Sequence, residues 1–165
     1  MIFYLWLDMK NKRLWGNTES LLVVFNYSNE DYLKEYRKTL DQILDKSQVK
    51  KLTIVVIVPN EIAKTTLPPH FLIYYHNPKD FSFWGKLKDV LLLQELEKKF
   101  DMLLWIGSNE HKLYEMVNTT VCNKKIGINC SDPAFFDMEI STQTEQPGAL
   151  LNYVINTIDK VEVYE

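Results

Sequence analysis

Apolar residues along this chain fall into short unbroken runs, separated by stretches in which they recur every three or four positions. The first pattern is that of strands buried on both faces and the second that of amphipathic helices. Their alternation predicts an α/β domain around a largely parallel sheet. Residues 20–25 form one such run. Residues 52–58 form the strongest, with six of seven positions apolar, most of them Val or Ile, and Pro59 ending it. Further strands are expected at 71–75, 102–106, 125–129 and 135–140. The connection between the last two is too short for a helical crossover, so one of them is expected to be antiparallel or to lie at an edge. Ser28 and Asn29 offer caps to a helix that carries Leu33, Tyr36, Leu40, Ile43 and Leu44 at helical spacing. Helices are also expected over 87–99, with Leu87, Val90, Leu91 and Leu96 inward, over 110–121 and over 148–159.

These elements add up to one three-layer, Rossmann-like α/β domain spanning residues 1–165, with a mainly parallel central sheet of five to six strands. Strands 21–25, 52–58 and 102–106 belong at its centre. No repeat, low-complexity tract or linker divides the chain. Residues 1–15 stand apart, because Trp6, Met9 and Trp15 are much apolar surface for a tail. They predict either an edge strand or helix packed on the domain, or a surface through which two copies pair as a homodimer.

Composition narrows the class. An apolar share of 46% with 25% charged residues is that of a globular domain. The net charge of −3 and the lack of a long basic run argue against a nucleic-acid partner. The apolar start, interrupted by Asp8, is too short for an export signal or a membrane span, so a soluble, cytoplasmic protein with no membrane partner is expected. Cys122 and Cys130 lack CxxC spacing and ligand partners. They read as two reduced, unjoined thiols, and neither a metal nor a cofactor is expected.

Chemistry-bearing motifs are mostly missing. The five glycines all stand alone, which excludes the clustered glycines of a dinucleotide fingerprint or a Walker-type phosphate loop. Gly-x-Ser-x-Gly, His-Glu-x-x-His and Ser-x-x-Lys do not occur. No catalytic residue is assigned, and the three histidines His70, His76 and His111 read as solvated or capping residues. Ligands of open α/β sheets bind beyond the carboxyl ends of the strands. Those ends carry Asn26, then Asn60 and Glu61, then His76, Asn77 and Lys79, then Ser108, Asn109 and Glu110, then Asn129, Ser131 and Asp132. Asn26, Asn60, His76, Ser108, Asn109, Ser131 and Asp132 are the candidate ligand-binding residues, suited to a small polar molecule. Turn and cap chemistry alone also places such residues in loops.

The blocks Phe83-Trp-Gly-Lys86, Phe100-Asp-Met-Leu-Leu-Trp-Ile106, Lys124-Lys-Ile-Gly-Ile128 and Phe136-Asp-Met-Glu-Ile140 resemble successive blocks of an uncharacterised bacterial family of unknown function. That resemblance covers roughly residues 81–140 and implies a Rossmann-like fold without an activity. More remotely, an Asp-led strand followed by a helix and a Lys-Ile-Gly turn is similar to the N-terminal half of heptosyltransferase-type glycosyltransferases. It implies a sugar-nucleotide ligand. By their own chemistry Asp101 and Asp137 read as bonding neighbouring backbone, Gly127 as permitting a close approach, and Trp84-Gly85 as a turn. Two functions follow. One is a non-enzymatic binding or interaction module, to which the surplus aromatics at Phe81, Phe83 and Trp84 point. The alternative is an enzyme or ligand-binding protein for a small polar molecule, such as a sugar nucleotide, with its site at the strand ends.

Overall fold

In the computed structural model residues 13–163 are described, and within them the alternating pattern becomes a six-stranded sheet in which every pairing is parallel. The strands are β1 (Ser20–Asn26), β2 (Lys51–Ile57), β3 (Ile73–His76), β4 (Phe100–Ile106), β5 (Cys122–Ile128) and β6 (Met138–Ile140), and the helices are α1 (Glu30–Lys46), α2 (Val90–Leu96), α3 (Lys112–Val117) and α4 (Pro147–Asp159). Strand order is β3-β2-β1-β4-β5-β6, the order shared by doubly wound nucleotide-binding folds. The three most apolar runs occupy the three positions nearest the centre, as a sheet covered on both faces requires.

Alternate residues of each strand feed two cores. Val23, Ile54, Val56, Leu104 and Ile126 pack with Leu33, Tyr36 and Leu40 of α1 and Leu151, Val154 and Ile158 of α4. On the other face Val24, Val55, Leu103 and Trp105 pack with Leu92 and Leu96 of α2 and Leu113 and Val117 of α3. Asn29 caps α1 by accepting from the Tyr32 amide, and Gly148 at the start of α4 donates to Glu35, which ties the two helices together. No described helix is long and apolar enough to cross a membrane.

One local expectation resolves to one of its alternatives and two change. β6 does lie at an edge, but it is parallel to β5, not antiparallel. The return is made without a helix by residues 129–137, whose Phe136 ring lies flat enough on β5 that a Cβ on Gly127 would stand 2.6 Å from it. Only the absence of that side chain lets the connection pass so close. In α2 the inward face is rotated: Leu87, just before the helix, and Leu96 are buried, but Val90 and Leu91 are 59% and 68% exposed. Their place is taken by Leu92 and by Glu95, a buried carboxylate that accepts from Thr53 Oγ1 at 2.7 Å and Lys98 Nζ at 2.7 Å. Helix α3 is shorter than expected because His111 is its cap, not its first turn.

Asp101 and Asp137 bond backbone as their positions suggested. Asp101 accepts from the Glu19 and Ser20 amides across the β1–β4 pair, and Asp137 accepts from Lys125. Leu14 and Trp15 are buried against the domain, with the Leu14 amide donating to Val161. The expected self-association rests mainly on residues 1–12, which lie outside the described residues. Both cysteines are free. Burial raises both thiols, that of Cys122 to about 11.

Candidate functional site

The order of strands reverses between β1 and β4, so a crevice for a ligand belongs at their carboxyl ends. Asn26 ends β1 there, and its side-chain amide lies 3.3 Å from where a Cβ on Gly107 would stand. The turn that follows β4 is closed from within. The Trp105 indole donates to the Ser108 carbonyl at 3.1 Å, and Ser108 Oγ accepts from the Glu110 amide at 3.1 Å. Beyond β5, Asp132 accepts from the Tyr114 hydroxyl at 2.6 Å, while its own amide donates to Glu139. Ser131 donates to the same Glu139, and the Asn109 side chain also bonds Tyr114. Burial, and then the Asp132 hydrogen bond, hold the Tyr114 phenol well above its ordinary value. On this side the strand-end polar groups are engaged with one another.

The ends of β2 and β3 are arranged differently. Asn60 accepts from the Lys79 amide, and Asn77 accepts from it too while donating to the Pro59 carbonyl. A 3-10 turn, Pro78–Asp80, is locked by Asp80, which accepts from the Asn77 amide at 2.9 Å and from Lys64 Nζ at 2.6 Å. Burial alone would raise the Asp80 carboxyl, but the Lys64 and Asn77 bonds outweigh it and hold it below its usual value.

Behind this turn His76 is wholly buried, at 0% exposure, which overturns its reading as a solvated or capping residue. Its ring meets the edge of Phe81 at 5.2 Å and that of His111 at 5.4 Å between centroids. Neither ring nitrogen of His76 has a hydrogen-bond partner, and Nδ1 stands 3.8 Å from Asp80 Oδ2. His111 spends its Nδ1 on the Leu113 amide and buries its Nε2 unpaired. Burial, and then the second imidazole, push His76 down to about 4, against the pull of Asp80. Burial lowers His111 as well. The pair is therefore neutral at pH 7, with His76 wholly enclosed and His111 half-buried beside it. No group of three or more metal-ligating side chains occurs among the described residues.

Over His76 lies a small hairpin, residues 81–87. Phe81 bridges Leu87, the Ser82 amide donates to the Lys86 carbonyl, and Gly85 turns the chain at φ +79° while donating back to Ser82. Phe81 packs against the His76 ring, and Leu87 is buried in the core on that face. The tip carries Phe83 and Trp84, packed edge to face at 5.5 Å and exposed to 95% and 84%. Lys112 of α3 reaches over the Phe81 ring at 4.8 Å.

The strand-end candidates thus do not converge on one concavity. Asn109, Ser131 and Asp132 gather around Tyr114 and Glu139. Asn60 and His76 belong to the hairpin side, and Asn26 and Ser108 stand between. The reading of Trp84-Gly85 as a turn located the hairpin, but nothing local marks His76 as a neighbour of His111, 35 positions away. That contact exists because the segment after β4 brings His111, the cap of α3, against His76 at the end of β3.

No curated protein and no solved structure matches the chain. A family model does, over residues 8–158, and its description is a family of unknown function, DUF6913. The match covers nearly the whole chain, including the hairpin and both clusters of strand-end residues, and the chain belongs to that family.

Proposed function

We propose that this protein is a non-enzymatic, cytosolic interaction module that meets its partner through the hairpin at residues 81–87. The observation that carries the reading is the pair Phe83 and Trp84, held almost fully in solvent by a turn whose every fixed contact lies behind it. Exposing two large aromatic rings costs solvation that folding normally recovers, and a rigid pair of this kind is suited to burial against something else. The strand-end chemistry supports the same reading from the other side. Tyr114, Asp132, Ser131 and Asn60 are each committed to a partner inside the chain, and His76 has no route to a substrate.

A second reading keeps the small polar ligand. Its support is the strand order, which brings Asn26 and Gly107 to the reversal point, and an open depression of about 620 Å³ lined by Asn109, His111 and Tyr114. The remoter likeness to a heptosyltransferase half makes a sugar nucleotide the first ligand to try. A thermal-shift screen with nucleotides, sugar nucleotides and phosphosugars separates the two. A ligand present at a hundred times its dissociation constant stabilises by about 2.7 kcal/mol, an unmistakable shift. The interaction module predicts no shift. A shift that disappears in Asn26→Ala or Asp132→Ala would replace it with the ligand-binding reading.

A further inference from the structure

The surroundings of the hairpin tip narrow what it meets. The apolar surface there is confined to Phe83 and Trp84, and the exposed neighbours are cationic. Lys86 and Lys88 follow on the return strand, Lys79 precedes, and Lys112 stands over Phe81 with its Nζ 3.1 Å from where a Cβ on Gly85 would be. The acids of the segment are engaged. Asp80 is paired with Lys64 at 2.6 Å, and Asp89 accepts from the Leu92 amide as the cap of α2. Glu110 and Glu115 are exposed and line the depression around α3 together with Lys112, so the positive surplus at the tip rests on Lys79, Lys86 and Lys88. In a chain of net charge −3 this is a local reversal of sign.

Resting on the reading of the hairpin as the interaction surface, we propose that its partner is an anionic lipid surface, into which Phe83 and Trp84 insert while the lysines meet the headgroups. Four arguments select that partner. Two rings on a protruding turn are far short of the ~800 Å² per side that a stable protein interface buries, but they suffice for shallow insertion when basic residues add to it. Trp is the side chain favoured at the boundary of water and hydrocarbon, because its ring is apolar and its N–H stays wet. Twofold pairing of two such tips would set the lysines of one copy against those of the other, which disfavours a second copy. Single-stranded nucleic acid would need a groove that follows its backbone, and side chains so exposed do not line one.

The experiment is flotation of the full chain with vesicles of phosphatidylcholine alone and of phosphatidylcholine mixed with phosphatidylglycerol. Binding is expected only to the mixed vesicles, with a blue shift of tryptophan emission, and raising salt should weaken it as screening shortens the reach of the lysines. Phe83→Ser/Trp84→Ser should lower the bound fraction about tenfold, and Lys86→Glu/Lys88→Glu should lower it and flatten its salt dependence. No binding to mixed vesicles, or binding that both variants leave intact, overturns the lipid proposal. Light scattering and oligonucleotide titration of the same proteins keep the broader reading distinguishable. A dimer or an oligonucleotide complex lost only in the Phe83/Trp84 variant keeps the hairpin as the interaction surface and replaces the lipid.

Discussion

The two ends of the sheet's carboxyl edge are built from the same kinds of residue and reach opposite results. Beyond β5 a tyrosine, two carboxylates and a serine bond one another, and Phe136 lies on Gly127 with no room to spare. Beyond β3 two imidazoles share one buried space without a hydrogen bond between them, and the hairpin that covers them presents aromatics outward. The first arrangement satisfies its polar groups and is what a structural corner needs. The second leaves three buried ring nitrogens unpaired and two aromatic rings in water, costs that a corner chosen for stability alone would not carry. Function belongs at the corner that carries such costs.

Acid should break the comparison most sharply. In the unfolded chain His76 titrates near its ordinary 6.5, but in the folded chain it stays neutral down to about 4. Between those values the unfolded state binds the extra proton, so stability is full above pH 6.5, falls as pH falls through the window, and reaches its lowest contribution below about 4. The shift corresponds to about 3 kcal/mol. Denaturant unfolding at pH 7.5 and pH 4.5 should show most of that loss, and His76→Phe, which keeps a flat buried ring without a titrating nitrogen, should remove much of it. Equal losses in the variant and the wild type would mean that His76 is not the source of the acid sensitivity.

The β5 corner should instead be sensitive to volume. Alanine at Gly127 brings a methyl group to 2.6 Å from the Phe136 ring and 2.9 Å from the Cys130 carbonyl, contacts that real side chains do not make. Overpacking of this kind costs about 2 kcal/mol. The same change at Gly148, where the nearest atom is the movable end of Glu35, should cost less. If the two alanines cost the same, the corner is looser than its geometry implies.

How much of this was legible in the sequence follows from which contacts are local. The central strands were, because a strand buried on both faces must be apolar at every position, and residues 52–58 are nearly so. The polar strand-end residues were legible as a set but not as two groups, since their partners depend on how loops fold over the edge. The inward face of α2 does not follow its apolar spacing. Glu95 goes in with Thr53 and Lys98 to hold it, and Leu91 is left out. Of the two expectations for the last strand, the edge position holds and the antiparallel one does not, because a three-residue strand needs only a short return, made possible by a bare glycine on its neighbour. The His76–His111 contact left no trace in any local pattern.

The smallest expected effect on stability belongs to the residues with the largest expected effect on binding. Phe83 and Trp84 bury almost nothing within the chain, and their backbone is fixed by Phe81, Ser82, Gly85 and Leu87. Replacing both rings by serine removes exposed apolar surface without opening a cavity or stranding a polar group. The change in unfolding free energy should therefore stay within about 0.5 kcal/mol. Chemical denaturation of wild type and Phe83→Ser/Trp84→Ser at pH 7.5 measures it. The acid-induced loss should also survive in the variant, because His76 packs against Phe81 and not against the tip. A destabilisation well above that bound would mean that the tip folds back on the domain in solution. The aromatics would then be part of the seal over the imidazoles, and the contrast between the two corners would reduce to one of polar bonding alone.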